Sequence, residues 1–453
     1  MDWEKGQNYL GRKMKRIQFK KSTKDELIDI ILEKDKVIEK LEKELKKYKN
    51  SNTPSSANPH LKNNTADYVA SNGAKRGAPR GHKGITRRQI PERKMIVDTD
   101  KCPRCYSEDV NDAKVSKKLV EEIPDPVVPE VVETEIHLKK CNNCGLKFIP
   151  DHNETPLKGK FGINLMVLVI FIRFLLRGVL RKTASFLEAG FAFKLTPASV
   201  NAIIMRVADA AEKEYEDIKI RIHESTKVYV DETSFSVLGI NQWVWVFRTE
   251  SDILLVIRPS RGNNVLEEIL GKDYSGTVIC DCWRAYNYLS NARLQRCWAH
   301  LLRRSEELVE TLAGYNFHMK LCEMFEEIKR FNLSNPAEMQ RKEKYKEMTR
   351  QLKKVVSYYA QYEQLNKTAN YIWLNIENWF TCIELEGIEP TNNFAEQAIR
   401  ETVMVRKIIG AFRSENGKNN YEKLASLIAT WQLKGLDLKT QLKEMLVKNL
   451  CFC

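Results

Sequence analysis

The sequence opens without an apolar stretch and contains no long hydrophobic run. Residues 1–21 are charged and lack the apolar stretch of a secretory signal, so no leader is expected. The most apolar helix candidate, residues 165–176, is too short to span a bilayer and carries Arg173. Acidic side chains are in deficit, 60 against 74 Lys plus Arg, giving a formal net charge of +14 and a pI near 9.1. That sign points to a polyanionic partner, most simply nucleic acid, although an acidic membrane surface would fit the number equally well. A disulfide framework is also not expected. The 11 cysteines are odd in number and four fall in two C-x-x-C pairs, which suits metal binding in a reducing compartment. A cytoplasmic protein with no membrane partner, associated with the nucleoid through DNA, is the expectation.

At 453 residues the chain is too long for one ordinary core, and 43% hydrophobic residues can fill several, so a multidomain α+β protein is expected. Residues 1–21 form a basic arm. Across 22–49, Leu27, Ile31, Ile38, Leu41, Leu45 and Tyr48 recur at three- and four-residue steps behind a Ser22 cap, with Lys34 interrupting one seam position, the pattern of a short coiled coil and hence of a homo-oligomer. A lone amphipathic helix packed on its own domain fits equally well. Residues 50–95 are rich in Pro, Gly, Ser and Asn and read as a basic flexible linker. In it Lys75, Arg76, Arg80, Lys83, Arg87 and Arg88 stand among glycines, where cations and backbone can approach a phosphate chain.

Residues 96–155 carry Cys102 and Cys105, then Cys141 and Cys144, separated by an alternating strand-like spacer. Two such knuckles on a β-hairpin can present four thiolates tetrahedrally to a structural Zn²⁺, the arrangement of a zinc ribbon. Residues 156–222 read as helices. There Thr196 is placed as an N-cap with Pro197 at the first helical position, a candidate DNA-binding helix-turn-helix that two helices of an ordinary bundle would equally explain.

The stretch 227–248, KVYVDETSFSVLGINQWVWVFR, sets Asp231 at the end of an apolar strand that then turns at Gly239 and Asn241 and returns through 243–247. Taken alone, Asp231 reads as a turn-initiating Asp. Strands at 253–257 and 276–280 and a helix at 264–270 follow. In the order strand, strand, strand, helix, strand, characteristic of a ribonuclease-H-like core, the first and fourth strands are neighbours. Asp231 and Asp281 are thereby expected at adjacent strand ends, where a carboxylate pair can bind a divalent cation. Residues 223–300 are the first part of this core, 301–388 a helical insertion, and 389–453 the second part with C-terminal helices. The helix opened by Glu389, Pro390 and Thr391 places Asn393, Glu396 and Arg400 on one face, so Glu396 can complete the carboxylate set. Glu232 is expected to face away from Asp231, Cys280 and Cys282 to be buried thiols, and Trp283 and Tyr286 to be core residues, with base stacking as the alternative. His300 and Arg400 are candidate supporting residues, with a structural histidine and a surface ion pair as the alternatives.

Taken in order, the motifs NSNTPSSANP at 50–59, RGAPRGHKG in the linker, the paired C-x-x-C, VDET at 230–233, CDCWRAY at 280–286, CWAH at 297–300 and NNFAEQAIR at 392–400 resemble those of insertion sequence 66 family transposases. The resemblance covers nearly the whole chain. The sequence departs from the usual pattern in a linker without the Gln-Pro-Gly-His form, in Cys282–Trp283 where Gly-Tyr is more usual, and in Gln397 where Arg is common. The resemblance implies that Asp231, Asp281 and Glu396 are metal-binding catalytic carboxylates holding Mg²⁺ or Mn²⁺, that DNA ends are cleaved and joined to target DNA, and that accessory proteins of the element take part. Two alternatives from other classes stand beside it. One is a catalytically inert zinc-ribbon regulator that only binds DNA; the other is a ribonuclease-H-like nuclease without strand transfer.

Overall fold

The computed structural model describes residues 129–135, 139–140, 142, 147–148 and 155–451. The segments read as a basic arm, a coiled coil and a basic linker with Lys75, Arg76, Arg80, Lys83, Arg87 and Arg88, and the expected zinc ligands Cys102, Cys105, Cys141 and Cys144, lie outside the described residues. Of the segment expected to form the ribbon, two short strands are described, β1 (Lys139–Lys140) and β2 (Lys147–Phe148), paired antiparallel with Lys139 opposite Phe148.

Four helices come next: α1 (Ile163–Phe174), α2 (Leu180–Phe191), α3 (Pro197–Ala210) and α4 (Glu212–His223). The cap read from sequence forms, with Thr196 Oγ1 accepting from the Ser199 amide at 3.1 Å and Pro197 opening α3. α3 buries Val200, Ile203, Ile204, Val207 and Ala208 in the core cluster that also holds β-strand residues Val228, Val230 and Trp245.

The six-stranded sheet has β3 (Lys227–Val237), β4 (Ile240–Arg248), β5 (Ile253–Arg258), β6 (Thr277–Cys280) and β7 (Arg293–Arg296) in the order β5-β4-β3-β6-β7, a short sixth strand pairing with β3, and α5 (Asn263–Leu270) before β6. β3, β4 and β5 are antiparallel neighbours, whereas β6 runs parallel to β3 and β7 parallel to β6. The expected side-by-side placement of the first and fourth strands is therefore met. Two details differ from the sequence reading. The tight turn is Leu238–Gly239, both at positive φ (54° and 81°) as a two-residue hairpin requires, and Asn241 already lies in β4. Asp231 is not at a strand end, because its own strand runs on to Val237 against β4; it sits just past the point where pairing with β6 stops, at Tyr229 opposite Ile279.

Helices α6 (Trp298–Glu306), α7 (Leu312–Leu333), α8 (Glu338–Tyr359), α9 (Glu363–Trp373) and α10 (Thr381–Glu384) follow β7. Then come α11 (Asn393–Ile409), a short β8 (Ala411–Phe412) parallel to the far end of β3, α12 (Glu415–Leu433) and α13 (Leu438–Leu450). The described residues thus form a mixed α+β structure with a mixed sheet and thirteen α-helices. None of these helices is long and apolar enough to cross a membrane.

Strand alternation sends side chains to two cores. Val228, Val230, Trp245, Phe247, Leu254 and Val256 meet α1–α5, α12 and α13, while Tyr229, Phe235, Val244, Val246, Leu255 and Ile257 meet α6–α11. The sheet edge at β5 is closed by α12. Its Thr430 Oγ1, Ser426 Oγ and Glu422 Oε1 accept from the amides of Ile253, Leu255 and Ile257, each at 2.9 Å. These positions recur at four-residue steps on one helix face, and each receives every second amide of the strand. At the other edge α10 attends to β7, with Thr381 Oγ1 donating to the Leu294 carbonyl and the Gln295 side chain accepting from the Cys382 amide, both at 2.7 Å.

Candidate active site

Asp231 comes from the middle of β3, Asp281 from the residue after β6, and Glu396 from the first turn of α11. The fold brings all three together. Burial, followed by the charges of Glu232, Glu396 and Asp281, pushes the Asp231 carboxyl well above the usual carboxylate range. Like charges gathered in this way repel one another, and a divalent cation among them would remove that cost. The donors are hard carboxylate oxygens, the set that suits Mg²⁺ or Mn²⁺.

Each carboxylate is held from behind. The Glu232 amide donates to Asp231 Oδ1 at 3.0 Å, and the Trp283 amide to Asp281 Oδ1 at 2.8 Å. Arg296, fully buried in β7, donates from Nη1 to the Asp281 carbonyl at 2.6 Å and to Cys280 Sγ at 3.3 Å, and also bonds Asn287. Helix α11 is clamped onto the sheet at three heights. Asn392 Nδ2 donates to the Val230 carbonyl at 2.7 Å, Arg248 Nη1 donates to the Phe394 carbonyl at 2.8 Å, and Arg406 Nη1 reaches Thr233 Oγ1 at 3.1 Å and the Ser234 carbonyl. From α6, Arg303 Nη2 donates to Glu396 Oε1 at 2.9 Å, with His300 Nδ1 3.7 Å from the same oxygen.

His300 thus lies at the site. Its burial and the neighbouring Arg303 lower its pKa, which favours the neutral imidazole, and its Nδ1 is buried without a hydrogen-bond partner. Ligand atoms of Cys297, His300 and Glu396 fall within 4.8 Å of one another. They do not make a separate metal centre in our reading. Cys297 Sγ already accepts from the Asn392 amide at 3.1 Å, and burial pushes its thiol up to about 12. Arg400 is exposed, one turn beyond Glu396 on the same helix.

Glu232 faces the opposite core, as expected. It is buried, with Oε1 2.8 Å from Arg261 and Oε2 accepting from the Tyr286 hydroxyl at 2.6 Å. Burial and the charge of Asp281 raise its pKa to about 7. Cys280 is a buried thiol and Cys282 a half-buried one. Tyr286 is core, but Trp283 is not: 37% of it is exposed, because the chain after β6 leaves the sheet and carries it to the surface. Six residues that position the site escaped the sequence reading: Arg303, Arg296, Asn392, Arg248, Arg406 and Arg261. Arg303 was within reach, since it lies one helical turn beyond His300 on α6. The others owe their role to partners remote in sequence, such as Asn392 to Val230.

A family model described as Transposase IS66 family matches residues 158–420, which spans every residue of this site. No curated protein gives a significant match to the chain.

Proposed function

The chain belongs to the IS66 family of transposases, and from this we propose that it cuts the ends of a mobile DNA element and joins them to target DNA by phosphoryl transfer in a ribonuclease-H-like core. The observation that carries the reading is the meeting of Asp231, Asp281 and Glu396 on one side of the sheet, each fixed by its own set of hydrogen bonds. In the first step water attacks the scissile phosphate and the bond to the 3′-oxygen breaks, releasing a 3′-hydroxyl. In the second that hydroxyl attacks a target phosphodiester and displaces the target's own 3′-oxygen.

Asp231, Asp281 and Glu396 would hold the Mg²⁺ or Mn²⁺. A pair of such ions there would activate the attacking oxygen and stabilise the leaving one. The chain's own contribution is rigidity. Asn392, Arg248 and Arg406 fix the height of α11 on β3, Arg296 fixes the turn carrying Asp281, and Arg303 orients Glu396 and offsets part of the clustered negative charge. His300, its Nδ1 3.7 Å from Glu396 Oε1, lines the carboxylate site. Cys102, Cys105, Cys141 and Cys144 would bind a structural Zn²⁺, and Lys75, Arg76, Arg80, Lys83, Arg87 and Arg88 the DNA backbone. The helices at 22–49 would join subunits, with accessory proteins of the element as further partners.

Asp281→Asn tests the assignment. With DNA containing an element end and Mg²⁺, the wild-type chain is expected to cut and join strands and the variant to do neither while still binding. Equal activity in the variant would sink the catalytic role of Asp281. Nicking without joined products would instead favour a hydrolytic nuclease.

A further inference from the structure

We propose that Trp283 is the stacking platform for a nucleobase beside the scissile phosphate, a proposal that rests on the phosphoryl-transfer reading above. The Trp283 amide donates to Asp281 Oδ1 at 2.8 Å, so indole and carboxylate are fixed to each other through one residue of backbone. The indole is itself immobilised. Its Nε1–H donates to the Arg261 carbonyl at 2.9 Å, and the Arg261 guanidinium lies 4.1 Å from its ring centroid and 4.7 Å from that of Trp243. Arg261 is tied in turn to the buried carboxylate of Glu232 at 2.8 Å. A side chain held by this many contacts would ordinarily be buried, yet 37% of Trp283 is open to solvent.

The only hydrogen-bond donor of the indole is already satisfied within the protein, so what it offers outward is apolar π-surface. A DNA strand whose phosphate reaches Asp281 must pass its neighbouring nucleotide close to residue 283, and a nucleobase is the flat apolar partner that such a surface accepts. Arg284, exposed and next in sequence, supplies a cation for the adjoining phosphate. Stacking is tolerant of base identity, so this contact sets the position of the strand and leaves sequence choice to other residues.

The test uses the full-length chain and a duplex carrying the terminal repeat that flanks the gene, with 2-aminopurine placed in turn on either side of the cleaved phosphate. Ca²⁺ replaces Mg²⁺, so that binding is read without turnover. At one of these positions the wild-type chain is expected to quench the fluorescence, Trp283→Phe to retain the quench, and Trp283→Ala to lose it. With Mg²⁺, Trp283→Ala should slow cleavage of the intact duplex about 5- to 150-fold. On a duplex abasic at the quenched position, the wild-type rate should fall to that of the variant. Equal slowing of Trp283→Ala on intact and abasic duplexes, or no quenched position at all, would overturn the proposal and make Trp283 a support for the Asp281 turn. Quenching by a wild-type chain that cannot cleave would support stacking while refuting the catalytic reading, so the two can fail separately.

Discussion

Glu396 shares one of its oxygens with a guanidinium, and this contact decides how well the carboxylate is aimed. An unpaired carboxylate on the first turn of α11 could sample several rotamers; the 2.9 Å bond from Arg303 selects one and lowers the cost of placing a third negative charge beside Asp231 and Asp281. Arg303→Ala should therefore cut activity about 10- to 100-fold, the usual penalty for removing a residue that orients a metal ligand, and raise the Mg²⁺ concentration needed for half-maximal rate. DNA binding measured in Ca²⁺ should change little. A variant with reduced turnover but an unchanged Mg²⁺ requirement would remove Arg303 from this role. Asp281 and Glu396 were legible because one follows a strand pattern and the other falls in the first turn of a helix pattern, and Asp231 because it interrupts an apolar run, although its strand continues to Val237; the donors holding them come from elements that the pattern does not connect. Arg296 shows the limit: in RLQRCWAH it looks like any strand cation, and its full burial against the Asp281 carbonyl follows only from the packing of β6 on β7.

On the scale of elements, the hairpin and the helical character of 156–222 and 301–388 were readable because period-two and three-to-four alternation are local, and the β3–β6 pair because of the order of strands and helix. The role of α12 was not. Glu422, Ser426 and Thr430 interrupt an otherwise apolar face at four-residue steps, which from sequence alone resembles a weak helix; in the structure they take three amides from the exposed edge of β5. That edge would otherwise be a template for pairing with another chain. Ser426 is fully buried, so Ser426→Ala should leave the Leu255 amide without an acceptor and destabilise the region by about 1–3 kcal/mol. Faster hydrogen exchange at Leu255 and a lower unfolding midpoint are the expected readouts. Exchange as slow as in the wild-type chain would mean that another acceptor replaces the serine.

Across the whole molecule, the catalytic geometry and the DNA affinity are expected to come from different segments. The carboxylate site is built within residues 158–420. The cations read as phosphate-binding groups, Lys75, Arg76, Arg80, Lys83, Arg87 and Arg88, stand well before it in a glycine-rich stretch whose composition announces charge but whose fold no local pattern encodes. If they neutralise phosphates, each releases counterions from the duplex, and affinity depends on salt with a slope of about −0.9 in log–log terms per neutralised phosphate. Replacing all six with Gln should weaken binding at low salt and flatten that slope by about 0.9 for every phosphate left unneutralised, which titrations between about 50 and 200 mM salt would resolve. Strand cleavage at saturating DNA should persist, because Asp231, Asp281, Glu396 and their hydrogen-bonded supports are untouched. An unchanged slope would show that the net charge of +14 acts through other lysines and arginines, and loss of cleavage at saturation would mean that the linker also delivers the scissile phosphate to the carboxylates.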